Sequence, residues 1–169
     1  MKLLLTGVPG VGKTTVIQRV LKEGGLRAGG FYTQEMREGG RRVGFLIKGL
    51  DGREAVLAHV DFKRGPRVGK YRVDLEAFEE IALGTVEQAL KERRLVIMDE
   101  IGKMELFSSA FRGLVLKVLE SDADLLGVIT KASDPFVEEI RRREEVEIWE
   151  VTYGNRDDLP AKIIERFKG

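Results

Sequence analysis

Residues 7 to 14, Gly7-Val8-Pro9-Gly10-Val11-Gly12-Lys13-Thr14, fit the pattern G-x-x-x-x-G-K-[ST] and lie between the apolar run Leu3-Leu4-Leu5 and the helix-like stretch Thr15-Val16-Ile17-Gln18-Arg19-Val20-Leu21. A glycine-rich turn in that setting can do chemistry. With few side chains in the way, backbone N–H groups turn inward on a phosphate, and the following helix adds the partial positive charge of its N-terminus. The backbone from Gly7 through Gly12 is therefore expected to cradle phosphates. Lys13 should reach the β- and γ-phosphates of a nucleoside triphosphate, the Thr14 hydroxyl should take one position on Mg²⁺, and Thr15 adds a donor to the α-phosphate.

A second group of residues answers the first. Leu95-Val96-Ile97-Met98 is four apolar residues ending in Asp99-Glu100. A buried strand delivers such carboxylates to its C-terminal end, where ligands gather in open α/β sheets. There Asp99 is expected to hold Mg²⁺ through water, and Glu100 to orient or deprotonate a water attacking the γ-phosphate. Gly102 follows closely enough to offer its N–H to that phosphate. Asp99-Glu100-Ile101-Gly102 also satisfies D-x-x-G, and Thr130-Lys131-Ala132-Ser133-Asp134 echoes N-K-x-D. The echo is poor: Thr stands for Asn, and Asp134 arrives one residue late, where it serves better as a helix cap.

Such residues need a scaffold that brings them to one edge. Short Val-, Ile- and Leu-rich runs recur at Lys2 to Thr6, Gly30 to Thr33, Leu95 to Met98, Leu125 to Thr130 and Val146 to Val151. Continuous apolar runs of this length are what parallel strands covered on both faces require. Between them, Phe111, Leu114, Val115, Val118 and Leu119 keep helical spacing behind Ser108 or Ser109. A longer stripe from Leu75 to Leu90 opens at Asp74, Asp134-Pro135 reads as a cap followed by Pro at the first helical position, and Leu159, Ile163, Ile164 and Phe167 line a last helix. The expectation is a three-layer α/β domain spanning 1–169. Met36 to His59 breaks the rhythm: the turns Glu38-Gly39-Gly40-Arg41 and Leu50-Asp51-Gly52-Arg53 flank Val43 to Ile47, an antiparallel addition to the parallel sheet.

Composition narrows the chemistry. There is no Cys, so disulfides, thiolate metal sites and thiol nucleophiles are excluded. No apolar run approaches a membrane span and no leader pattern opens the chain, so a cytoplasmic location is expected. A formal net charge of +1 with 34% charged residues describes a mixed-sign surface, which argues against a strong nucleic-acid footprint. One Asn and three Gln among abundant Arg, Lys and Glu suggest a thermophilic source. A monomer is expected.

The segments Gly29-Gly30-Phe31-Tyr32-Thr33-Gln34-Glu35, Glu38 to Phe45, Asp99-Glu100-Ile101-Gly102-Lys103-Met104-Glu105-Leu106 and Asn155-Arg156 resemble the small cancer-related and hyperthermophile nucleoside-triphosphatase family. The resemblance spans essentially the whole chain. It implies a RecA-like P-loop fold with core strand order 5-1-4-3-2, in which the Thr130 strand separates the Asp99 strand from the P-loop strand. It also implies slow, Mg²⁺-dependent hydrolysis of ATP, GTP and other ribo- and deoxyribonucleoside triphosphates. Three positions carry more than one reading. Thr130 is a γ-phosphate sensor or a strand-end cap, Lys103 a transition-state cation or a solvated side chain, and Arg156 a stacking partner for a base or part of a helix-entry turn. No arginine finger stands out. Lys63, Arg64, Arg67, Lys70 and Arg72 form a basic loop able to act as a lid or to meet nucleic acid. A nucleotide or small-molecule kinase therefore stays open as an alternative, as does a nucleic-acid-responsive switch.

Overall fold

The computed structural model describes all 169 residues. In chain order the elements are β1 (Lys2–Thr6), α1 (Lys13–Gly24), β2 (Ala28–Glu38), β3 (Arg41–Gly49), β4 (Glu54–His59), β5 (Arg67–Val68), β6 (Tyr71–Val73), α2 (Leu75–Lys91), β7 (Leu95–Ile101), α3 (Ser109–Glu120), β8 (Leu125–Ile129), α4 (Pro135–Arg141), β9 (Val146–Glu150) and α5 (Leu159–Lys168). A short 3₁₀ turn, Glu105–Phe107, joins β7 to α3. All nine strands form one sheet in the order β5-β6-β4-β3-β2-β7-β8-β1-β9. The five parallel strands β9-β1-β8-β7-β2 reproduce the order the family resemblance implied, with β8 between the Asp99 strand and the strand that leads into Gly7.

Alternation along buried strands builds two cores. Leu3 and Leu5 with Ile97, Leu126 and Val128 pack under α1 and α5, while Leu4 with Val96, Met98 and Leu125 packs under α2, α3 and α4. These strands are buried on both faces, which is why their sequences show no polar alternation. Phe31 on β2, Phe78 on α2 and Phe111 on α3 meet edge to face with centroids 5.0–5.8 Å apart, fixing β2 against the helical layer. Three helices are capped by their own sequence: Asp74 accepts from the Ala77 amide at 3.0 Å, Ser108 from Phe111 at 3.0 Å, and Asp134 from Phe136 at 2.8 Å, with Pro135 following it.

The antiparallel part is larger than the expected hairpin. Strand β2 does not stop at Thr33 but runs to Glu38, so that it and β3 form a ribbon reaching beyond the end of β7. The basic stretch Lys63 to Arg72 is no free loop either. It folds into the β5–β6 hairpin, with Arg72 donating to the Gly65 carbonyl at 2.9 Å and Arg67 to Gly69 at 3.2 Å. This hairpin closes the sheet edge opposite β9, separated from β1 by β4, β3, β2, β7 and β8. That placement corrects the reading of these cations as a lid over the Gly7–Gly12 loop. No helix is long and apolar enough to cross a membrane.

Strand β2 can lie so close to β7 only because of Gly30, whose φ of +119° and lack of a side chain let the Ile97 carbonyl pass where a Cβ would sit. Gly30→Ala is therefore expected to destabilise the fold by about 3 kcal/mol or more, a fall of roughly 6–12 °C in Tm for a chain of this size, measurable by thermal melting. A melting point within a degree or two of the parent would contradict the packing described for β2 and β7.

Candidate active site

Gly12 caps α1 at φ +107°, a conformation that suits glycine, and it offers no side chain to the helix. The first-turn amides of α1 are thus left without a side-chain acceptor, unlike those of α2, α3 and α4. The loop that precedes them folds back on itself, the Val11 amide donating to the Val8 carbonyl at 3.3 Å. Open amides, a helix N-terminus and a nearby Lys make an anion cradle. Lys13 turns its Nζ back into the loop and donates to the Gly7 carbonyl at 2.6 Å.

The carboxylates arrive from β7. Its buried run carries Asp99 into the interior, 2% exposed, where Thr14 Oγ1 donates to Asp99 Oδ2 at 2.6 Å. The hydroxyl and the carboxylate expected to share a metal are thus already side by side. Burial pushes the Asp99 carboxyl up to about 7, with the neighbouring Glu100 adding to the rise and the Thr14 hydrogen bond and Lys13 opposing it. Glu100 is raised too, by burial and against the pull of Lys13. A hydroxyl beside a buried carboxylate offers two hard oxygen donors, which fit Mg²⁺, an ion that takes few protein ligands and fills its other positions with water and phosphate oxygens. No group of three or more His, Cys, Asp or Glu forms a self-sufficient metal cage.

Other expected residues take varied places. Thr130 ends β8 as a cap, its Oγ1 accepting from the Ala132 amide at 3.1 Å and its carbonyl accepting from Arg141. Lys103 is exposed in the turn beyond β7. Gly102 is buried against the side chains of Glu100 and Glu105, whose Cδ and Oε1 lie 3.1 and 3.0 Å from where its Cβ would be. Arg156 joins the site: its Nη1 donates to the Val11 carbonyl at 3.2 Å, and its guanidinium lies 5.1 Å over the ring of Tyr153, which is 64% exposed. The lone His59 is a hairpin residue, accepting from the Asp61 amide at 3.0 Å.

Two features had no counterpart in the sequence reading. A cleft of about 510 Å³ runs between the first turns of α1 and the β2 ribbon, lined by Lys13, Thr14, Gln18, Tyr32, Thr33 and Glu35 among others. Partial burial works to raise the Glu35 carboxyl, but Arg42 at 3.1 Å and Arg37 at 2.9 Å clasp it and hold it below the usual range. The second feature is Glu105, 4% exposed beside Glu100 and held well above the usual carboxylate range by burial and then by the charge of Glu100. Neither could be found from apolar periodicity, because both depend on where a polar turn or ribbon folds after its strand ends.

The comparisons agree with this architecture. A family profile described as "NTPase" matches residues 2–164. The nucleoside-triphosphatase THEP1 of Thermotoga petrophila is 51% identical over 166 residues, covering 97% of this chain and 91% of the relative. The crystal structure of THEP1 from the hyperthermophile Aquifex aeolicus superposes with a TM-score of 0.89 at 38% identity, 96% of each chain being covered. The solution structure of a human cancer-related nucleoside triphosphatase gives 0.83 at 41% identity, covering 98% of this chain and 96% of that one.

Because Asp99 holds its proton more tightly folded than unfolded, it favours the fold at low pH and costs stability as pH rises from about 4 through about 7. Above that the ionised carboxylate sits buried without a metal. Asp99→Asn should then raise the Tm of the metal-free, nucleotide-free protein at pH 8, by about 2–6 °C, while weakening the response of activity to metal concentration. A lowered Tm at pH 8 would contradict the strain assigned to this carboxylate.

Proposed function

The chain belongs to the nucleoside-triphosphatase family, and from that premise we propose a Mg²⁺-dependent phosphohydrolase that converts a nucleoside triphosphate and water to the diphosphate and phosphate, slowly and with little regard for the base. The observation that carries the proposal is the meeting of the open α1 N-terminus, Lys13 and the Thr14–Asp99 pair with a second carboxylate, Glu100, one residue further along β7.

In this mechanism the amides of Gly10 to Thr15 and the Lys13 ammonium bind the phosphate chain and gather its charge. Mg²⁺, held by the Thr14 hydroxyl and by Asp99 through water, would neutralise charge on the β- and γ-phosphate oxygens. The Glu100 carboxylate accepts the proton of a water placed in line with the γ-phosphorus, and the diphosphate leaves with the electron pair of the broken P–O bond. Thr130, at the end of β8 beside this group, has its hydroxyl hydrogen free to meet the γ-phosphate.

Base tolerance and slow turnover follow from what surrounds the phosphates. Tyr153 and Arg156 offer flat faces on the β9 side of the loop, and stacking is indifferent to a base's hydrogen-bonding pattern. Arg37 and Arg42, the cations paired with the cleft residue Glu35, are both engaged by it. Without a cation delivered to the developing charge, phosphoryl transfer forgoes a gain of about 10³–10⁵. Lys103, exposed beyond β7, stays solvated in this mechanism.

Glu100→Gln keeps size and hydrogen bonding but removes the anionic acceptor, so nucleotide·Mg²⁺ should bind within about threefold of the parent while kcat falls about 10²-fold or more. Lys13→Ala should lose binding and turnover together. Both are read by phosphate release and fluorescent-nucleotide titration across a panel of ribo- and deoxyribonucleotides. A Glu100→Gln protein that hydrolyses at the parent rate would overturn the role given to Glu100.

A further inference from the structure

Glu105 is a buried acid without a cation. Its carboxyl is opposed by the acids Glu100 and Asp99, and only the amides of Gly102 and of Glu105 itself ease its burial. Lys13, whose charge is felt at both Asp99 and Glu100, does not figure among the groups acting on it. An unpaired buried carboxylate costs several kcal/mol, so the group is stable here as a neutral acid. Such a residue is costly unless it does something for the site beside it.

Its placement is firm. The chain after β7 doubles back tightly, the Leu106 amide donating to the Gly102 carbonyl at 2.9 Å. Arg112 on α3 reaches back to the Leu106 carbonyl at 2.6 Å. Ser108 donates to Glu79 on α2 at 2.5 Å while its amide meets the Glu105 carbonyl at 3.1 Å. Two helices therefore hold the 3₁₀ turn Glu105–Phe107 in position. At Gly102 the two acids share one surface: a Cβ there would lie 3.0 Å from Glu105 Oε1 and 3.1 Å from Glu100 Cδ. Glu100 and the Glu105 carboxyl thus flank the same face of Gly102.

We propose that Glu105 is a positioning residue for Glu100, packing through Gly102 to hold the Glu100 carboxylate at the angle from which it takes the proton of the attacking water. The inference rests on the role given to Glu100 and adds to it the group that fixes its rotamer. A neutral carboxyl suits this role, because it fills the space and turns an oxygen towards Gly102 without adding a second buried negative charge beside Glu100. The shape and the polar oxygens of Glu105 are what matter, not its charge.

The test compares Glu105→Gln, Glu105→Leu, Glu100→Gln and the double variant Glu100→Gln/Glu105→Leu, measuring kcat, KM, fluorescent-ATP·Mg²⁺ affinity and Tm for each. Gln reproduces a neutral carboxyl in size and in its carbonyl acceptor, so Glu105→Gln should keep kcat within about threefold. Leu keeps the volume but loses the polar oxygens that face Gly102, and kcat should fall about tenfold or more with affinity and Tm near the parent values. Glu105→Ala carries the same expectation should the Leu protein fail to fold. Because Glu105 acts through Glu100, the double variant should be no slower than Glu100→Gln by more than about twofold. The proposal is overturned if Glu105→Leu or Glu105→Ala turns over at the parent rate, if kcat, affinity and Tm fall together, if Glu105→Gln is as slow as Glu105→Leu, or if the two substitutions multiply. A Glu100→Gln protein of parental activity removes the premise instead, and shows it without any change at position 105.

Discussion

Strand β7 must be apolar on both faces to fill the middle of the sheet, yet it ends in two carboxylates that have nowhere else to go. The remaining features of the site follow from that constraint. The packing that buries Val96, Ile97 and Met98 also draws Asp99 and Glu100 out of water beside Lys13 and Thr14. A single ammonium near two such acids leaves the site short of positive charge. In the proposed mechanism a hard divalent cation with a phosphate chain would answer that shortage, the metal balancing the acids and the α1 N-terminus the phosphates.

The fold keeps this imbalance tolerable by making everything around it regular. Helices α2, α3 and α4 close their own first turns with Asp74, Ser108 and Asp134, whereas α1 opens its first turn through Gly12. The Phe31, Phe78 and Phe111 cluster and the close approach at Gly30 press β2 against β7 and the helical layer. From that base the β2–β3 ribbon rises past the end of β7 and walls one side of the cleft over the first turns of α1. Rigid strands set the distances between groups, and the turns that follow them carry the chemistry.

Features encoded by local rules could be read from the sequence. Strand β1 and the capped starts of α2 and α4 stand where composition and spacing put them, because burial on two faces and side-chain capping leave direct marks in neighbouring residues. The strand order could not be read from periodicity, since pairing between Lys2 and Leu125 or Ala28 and Leu95 is set by long-range packing; it came from the family resemblance alone. The basic stretch Lys63 to Arg72 misled for a related reason: cations and glycines look like a loop, and only pairing with β4 reveals a sheet edge. Glu105 and the Glu35 rim stayed hidden because a buried acid or a ribbon wall depends on the path of a turn, for which a single sequence carries no periodic signal.

In the proposed mechanism, water held at the end of β7 attacks the γ-phosphorus. Hydrolysis of ATP in ¹⁸O-enriched water, with the phosphate and the nucleotide product resolved separately by mass spectrometry, tests that step most directly. One water-derived oxygen is expected in every phosphate released and none in the ADP. Label in the ADP, or free phosphate that carries none, would place the attack elsewhere and contradict the mechanism.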